Sequence, residues 1–216
     1  MHQVEEPLDT LKDIKRMMDR SSRFISLSGL SGISAGVFAL IGAWIAEPYI
    51  NGTRNLFIKD QLSTDNTSVF TFLMNTWLFW IAVVIFAFAF ISAFLFTYFK
   101  SRKQRVPIWG NTARRLMIQV MVPIIAGGFF LIKLIPYGSV GLIAPGCLIF
   151  YGLALINASK YTLGEIKYLG YCELLLGIIS LWFIGYGLYF WAFGFGFLHI
   201  FYGFYMWWKY ERKEEM

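Results

Sequence analysis

The chain has 216 residues, of which 57% are hydrophobic, 19% aromatic and 15% charged. A soluble domain runs nearer half apolar and a quarter charged, so this balance excludes a disordered chain, a coiled coil and a conventional soluble enzyme, and leaves a polytopic membrane protein. The net charge of +6 raises nucleic acid as a partner, a question that the placement of the charges settles below; two cysteines exclude a disulfide scaffold and a multi-cysteine zinc site.

Residues 1–23 are polar, with five basic and five acidic side chains. Leu8, Leu11, Ile14 and Met18 fall on one face at helical spacing, which predicts an amphipathic helix on the membrane surface, a collar or a docking element for a partner. Residues 24–46 are the first predicted transmembrane span, too long for the core of a signal peptide. Residues 47–68 read as a polar loop containing Pro48 and Gly52. The second span is 69–99, longer than the bilayer is thick. A basic loop precedes the third span, 116–135. The turn Pro136-Tyr137-Gly138-Ser139 leads into the fourth, 140–158.

From Tyr171 to Trp208 the sequence is almost wholly apolar. A single helix of that length would be about twice the hydrocarbon thickness. Gly185, Gly187, Gly194 and Gly196 offer breaks, so the stretch divides into spans at about 168–186 and 191–208. Residues 209–216 form a tail. The expected architecture is an all-α bundle of six transmembrane helices with an interfacial N-terminal helix.

Sixteen of the nineteen Lys and Arg residues fall in 1–23, 100–115, 159–170 and the tail, on alternate sides of the predicted spans. That asymmetry places both termini in the cytoplasm. Trp44, Tyr49, Trp77, Trp80, Tyr137 and Trp191 form an outer aromatic belt; Tyr98, Tyr161, Tyr168, Trp207, Trp208 and Tyr210 form an inner one. Charges that set topology need no nucleic acid to explain them, and none is expected as a partner.

The first span carries two rows of small residues, Ser28, Gly32, Gly36 and Ser31, Ala35, Ala39, Ala43, which allow close approach of a neighbouring backbone within the bundle or in an oligomer. Gly29-Leu30-Ser31-Gly32 also resembles the nucleophile motif of rhomboid intramembrane proteases, and His199 lies in the last span. That family places its serine in the fourth span, and glycines follow its histidine closely; here the serine opens the first span and the next glycine is Gly203. The reading is rejected, and no catalytic residue is expected.

Two charged residues fall inside the spans, Lys133 and Glu173. Lys133 lies within a turn of the outer boundary, where its chain can reach water. Glu173 shares a face with Gly170 and Gly177 and should turn toward a neighbouring helix, since exposure to lipid is costly. Its expected partner is Arg23, Arg114, Arg115 or Lys160; the sharper reading is a protonatable gate or ligand contact. His199 shares a face with Gly196 and Gly203, and is either a proton site or a neutral interhelical donor. Counted from the predicted boundaries, Glu173 and His199 lie several ångström apart in depth. No metal and no cofactor is expected.

Two stretches, RSSRFISLSGLSGISAGVFALIGA (residues 20–43) and FYGLALINASKYTLGEIKYLGYCELLLG (residues 150–177), resemble a group of small uncharacterised multi-span membrane proteins from Bacteroidetes-type bacteria. The resemblance implies a bacterial inner membrane and carries no activity with it. The leading expectation is a non-enzymatic inner-membrane protein that associates with a partner, another membrane protein or its own copies, through helices or its cytoplasmic face. The alternative is a small transporter or channel for a proton, ion or apolar solute.

Overall fold

The computed structural model describes residues 28–60, 77–104 and 109–212. The predicted amphipathic helix with Leu8, Leu11, Ile14 and Met18, together with Arg23, the start of the second span and residues 213–216, lies outside the described residues. Among the described residues six helices follow one another: α1 (Gly29–Asp60), α2 (Trp77–Gln104), α3 (Asn111–Leu134), α4 (Ile143–Ala158), α5 (Ile166–Ser180) and α6 (Gly187–Glu211). Among the described residues five helices are long and apolar enough to cross a membrane, at Gly29–Ile50, Phe79–Lys103, Asn111–Tyr137, Val140–Ala158 and Gly187–Glu211. The fifth predicted span is instead a 15-residue helix, α5, about 22 Å long at 1.5 Å per residue.

Several predicted boundaries move, for one reason. Composition marks where the chain leaves the apolar layer, and a helix can continue past that point. α1 runs through Glu47 and Pro48 to Asp60, where a loop is predicted. α2 extends to Gln104 with Arg102 and Lys103 in its last turn, where cations suit the helix dipole. α3 starts at Asn111, ahead of Arg114 and Arg115. The division of the last apolar stretch falls after Ser180, at a turn ending on Gly185. Its φ of 103° is a conformation that favours glycine. Gly194 and Gly196 do not break α6. They sit in a stretch of wider, π-helical winding, Ala192–Leu198.

α2 packs on α1, α1 along α6, α6 on the paired α4 and α5, and α4 on α3. α2 is apolar all round and buries almost nothing within the chain, as a lipid-facing helix does. α4 and α5 run antiparallel along their whole length. Gly152 lies against Gly170 and Leu174, Gly177 against Ile149, and Ile184 in the turn after α5 against Gly141. The start of α1, the end of α2, the α4–α5 connector and the end of α6 meet at one end of the bundle, joined through Glu211 and Glu165. That end carries Lys100, Arg102, Lys103, Arg114, Arg115, Lys160, Lys167, Lys209 and Arg212, and is called the basic end below.

Candidate functional site

The glycine spacing read in α5 builds the site. A Cβ on Gly152 would come within 2.7 Å of the Leu174 backbone nitrogen and 2.8 Å of the Gly170 carbonyl, so α4 and α5 touch backbone to backbone. A Cβ on Gly177 would lie 2.9 Å from the Ile149 nitrogen. Glu173 stands between Gly170 and Gly177 on the same face and is carried into that contact, where it is wholly buried. α6 closes the remaining side with Gly194. A side chain there would meet both Glu173 Oε2 and Leu148 Cδ2 at 2.5 Å, so the space for the carboxyl group exists because Gly194 has no Cβ.

His199 reaches the same point from α6. Its Nδ1 lies 3.0 Å from the Gly194 carbonyl oxygen and 3.4 Å from Glu173 Oε1, and its Nε2 lies 2.8 Å from the Tyr151 hydroxyl of α4. The Phe195 ring stacks on the imidazole with centroids 5.8 Å apart. The ring folds back five residues onto its own helix, within reach of the widened segment; such segments are frequent at functional sites. A carbonyl only accepts, so the network assigns the Nδ1 proton to the Gly194 bond and makes Nε2 the acceptor of the Tyr151 hydroxyl.

Glu173 receives no hydrogen bond on either oxygen among the described residues. An isolated carboxylate in such surroundings is costly, and pairing with a proton or an imidazolium removes most of that cost. The cluster accommodates both forms. Glutamic acid can lie beside neutral imidazole. Alternatively, glutamate lies beside imidazolium, whose Nε2–H is then accepted by the Tyr151 oxygen after its hydroxyl rotates. Either way the three groups form one chain, Tyr151 to His199 to Glu173, from α4 through α6 to α5. Tyr151, Glu173 and His199 each sit at the middle of their helices. The several-ångström difference in depth expected between Glu173 and His199 therefore disappears. It followed from starting the fifth span two residues late and ending it six residues late.

The remaining predicted residues are placed as follows. Gly32 and Gly36 of α1 pack on the α6 backbone beside Gly203, Gly196 and Ile200, and Ser28 lies at the start of the same contact. This small-residue row is thus used inside the chain. Gly196 and Gly203 face α1, while the imidazole between them turns to α4 and α5. Glu173 pairs with His199 in place of Arg114, Arg115 or Lys160. Lys133 is exposed in the last turn of α3, its ammonium 5.6 Å from the centre of the Tyr137 ring, and has no part in the cluster. Ser31 donates to the Ser28 carbonyl. Cys147 and Cys172 are both free thiols. Among the described residues no group of three or more His, Cys, Asp or Glu is placed to hold a metal ion. Tyr151 is absent from the sequence-based candidates; its one signal is a phenol at mid-span, away from both aromatic belts.

Two further carboxylates close the basic end. Glu211 accepts from the Gly29 backbone N–H at 2.7 Å, the Ser28 hydroxyl at 3.2 Å and Lys100 at 3.0 Å, and so caps α1 while joining α2 to α6. Glu165 in the α4–α5 connector accepts from Lys209 and from the Tyr210 hydroxyl. Partial burial of Glu165 alone would raise its pKa, but these two hydrogen bonds and the Lys209 charge outweigh that and hold it below the usual carboxylate range. A shallow hollow of about 310 Å³ opens beside it, lined by Leu163, Gly164, Glu165, Lys167, Tyr168 and Tyr210. Comparison of the chain with protein-family models, with curated proteins and with solved structures finds no match to any of them.

Proposed function

We propose that this is a multi-pass protein of a bacterial inner membrane that moves protons, or a solute together with protons, through the Tyr151–His199–Glu173 cluster. The basic end faces the cytoplasm, as the distribution of Lys and Arg requires, and both termini lie there. Five crossings are made by the long helices and a sixth by α5 with the turn behind it, which runs beside the full length of α4. The observation that carries the reading is a buried acid and imidazole at the middle of their helices with a bonding network that suits either place for the proton. Ionisable groups at that depth are costly and mark proton or substrate pathways. The carboxyl group touches no water-sized space, so this conformation is the closed one, and transport requires another that opens it. No chemistry on a bound substrate is assigned, and the protein is read as non-enzymatic.

Purified protein in proteoliposomes under an imposed pH gradient tests the reading with a trapped pH-sensitive dye. Wild type dissipates the gradient, and Glu173→Gln and His199→Ala do not. Absence of flux in wild type, or unchanged flux in both variants, overturns it.

Association with a membrane partner is the second reading. The outer face of α2 favours it, with Phe86, Phe90 and Phe99 exposed and Phe86 stacked on Phe90 at 6.4 Å. The small-residue row of α1 no longer does, because α6 occupies it. Co-purification that survives Phe86→Ala with Phe90→Ala would remove this face as the contact.

A further inference from the structure

The turn between α5 and α6 is built unlike a turn in water. Loops in water are made from small polar residues with Gly and Pro. From Leu181 to Leu198 the sequence is LWFIGYGLYFWAFGFGFL, with no charged residue and no Ser, Thr, Asn or Asp. The chain reverses at Gly185, and the side chains before it stand outward: Trp182, Phe183 and Ile184 are 75%, 52% and 61% exposed. Three consecutive side chains diverge around a tight turn, so no flat partner surface covers all of them. A fluid apolar solvent does.

The backbone suits such a solvent, in which an unmet donor is costly. The N–H groups of Leu181, Trp182 and Phe183 donate to the carbonyls of Ile178, Ile179 and Ser180 at 3.1 Å, and that of Tyr186 to the Phe183 carbonyl at 3.0 Å. Those of Tyr189 and Phe190 both donate to the Tyr186 carbonyl, at 2.9 and 3.2 Å. Phe183 stacks on Phe190 across the reversal, with centroids 5.8 Å apart. The depth agrees. α5 has 15 residues and is about 22 Å long, against a hydrocarbon core of about 30 Å. Lys167 marks its first turn at the basic end, so its far end stops several ångström short of the outer headgroups. A Cβ on Gly141 would meet Ile184, and one on Gly187 would meet Ala144. Gly141 and Ala144 both belong to the apolar span Val140–Ala158. The turn therefore lies beside a segment that crosses the apolar layer.

We infer that the α5–α6 turn is immersed in the acyl chains of the outer leaflet, with lipid as the partner of Trp182, Phe183 and Ile184. The inference rests on the membrane-spanning part of the reading above and not on the movement of protons. It continues the lipid-facing surfaces of the two helices, where Leu175 and Ile179 of α5 and Phe193 and Phe197 of α6 are also exposed. The sixth crossing is then completed by a turn bathed in hydrocarbon, and the indole and phenol groups of Trp182, Tyr186 and Tyr189 reach from it toward the headgroups.

Nitroxide labels on single cysteines test it, in the full chain carrying Cys147→Ala and Cys172→Ala and reconstituted in phospholipid vesicles. Collisions with oxygen, which concentrates in lipid, are compared with collisions with a water-soluble nickel complex. Labels at Trp182→Cys and Phe183→Cys should match one at Val84→Cys, on the exposed side of α2, with frequent oxygen and rare nickel collisions. A label at Lys160→Cys, exposed at the basic end, should show the reverse. Nickel collisions at Trp182→Cys and Phe183→Cys as frequent as at Lys160→Cys overturn the immersion and leave the spanning reading standing. Few collisions with either reagent mean that protein covers the turn, and overturn it as well. Frequent nickel collisions at Val84→Cys too would overturn both.

Discussion

Glu211 and Glu173 are carboxylates in one bundle with opposite surroundings. Glu211 is met by a backbone N–H, a hydroxyl and an ammonium group, and its work is to fasten α1 and α2 to the end of α6. Glu173 is buried more deeply, and no donor is aimed at either oxygen among the described residues. A carboxylate placed for stability is surrounded by donors. One left bare beside an imidazole stabilises little in either form and keeps its proton movable. The comparison therefore separates a clasp from the proposed working site without reference to any relative.

The difference is broken most directly by removing each acid. Glu173→Leu should abolish proton flux while leaving thermal stability in detergent unchanged or raised by up to about 4 kcal/mol, because an apolar side chain replaces an unsatisfied one. His199 keeps Gly194 and Tyr151 as partners in that variant. Glu211→Ala should do the reverse, with flux retained per folded molecule and about 1–3 kcal/mol of stability lost through the unsatisfied α1 terminus and the half-broken Lys100 contact. A large stability loss in Glu173→Leu would mean that Glu173 is another clasp.

A smaller change sharpens the comparison at the site itself. Gly194→Ala puts a methyl against Glu173 Oε2 and Leu148, and should cost about 1–3 kcal/mol by overpacking. Adding Glu173→Ala should recover most of that loss, which a double-mutant cycle of melting temperatures would read. Independent, additive losses would show that Gly194 does not shape the carboxyl's space.

The smallest effect belongs to the basic end. The pKa of Glu165 is lower in the folded protein than the ordinary carboxylate value of about 4.3. Its contribution to stability is therefore full above that value and fades as pH falls through the lowered folded pKa. Thermal melts over a falling pH series should show Glu165→Gln losing less stability on acidification than wild type. The difference is small because Lys209 is well exposed. An identical acid dependence in both proteins would show that the Lys209 and Tyr210 contacts do not hold in solution.

Much of this arrangement is legible in the chain, and the misses share a cause. Gly170, Glu173 and Gly177 at helical spacing predict a carboxyl turned into a tight helix contact, and the structure has it there. The same reasoning on Gly32, Gly36, Gly196 and Gly203 predicts two close-packed faces, and they prove to be one contact, α1 on α6. The partner of Glu173 is missed because span boundaries read from polarity misjudge depth by a turn or more. Glu47 and Pro48 show the same error, since they end the apolar layer and not the helix. Tyr151 is missed because a phenol in an aromatic-rich span carries no local pattern.

The sequence by itself determines the class, the sequence of apolar helices, the basic end and the short list of ionisable groups inside the bundle. These follow from composition and from a helical period that every local window obeys. Only the tertiary structure decides that Glu173, His199 and Tyr151 meet. Their contact depends on the register of three helices along one another. That register is set by which glycine backbones meet and by a π-wound segment around Gly194; helical spacing gives the face of a contact and not its position along the partner helix.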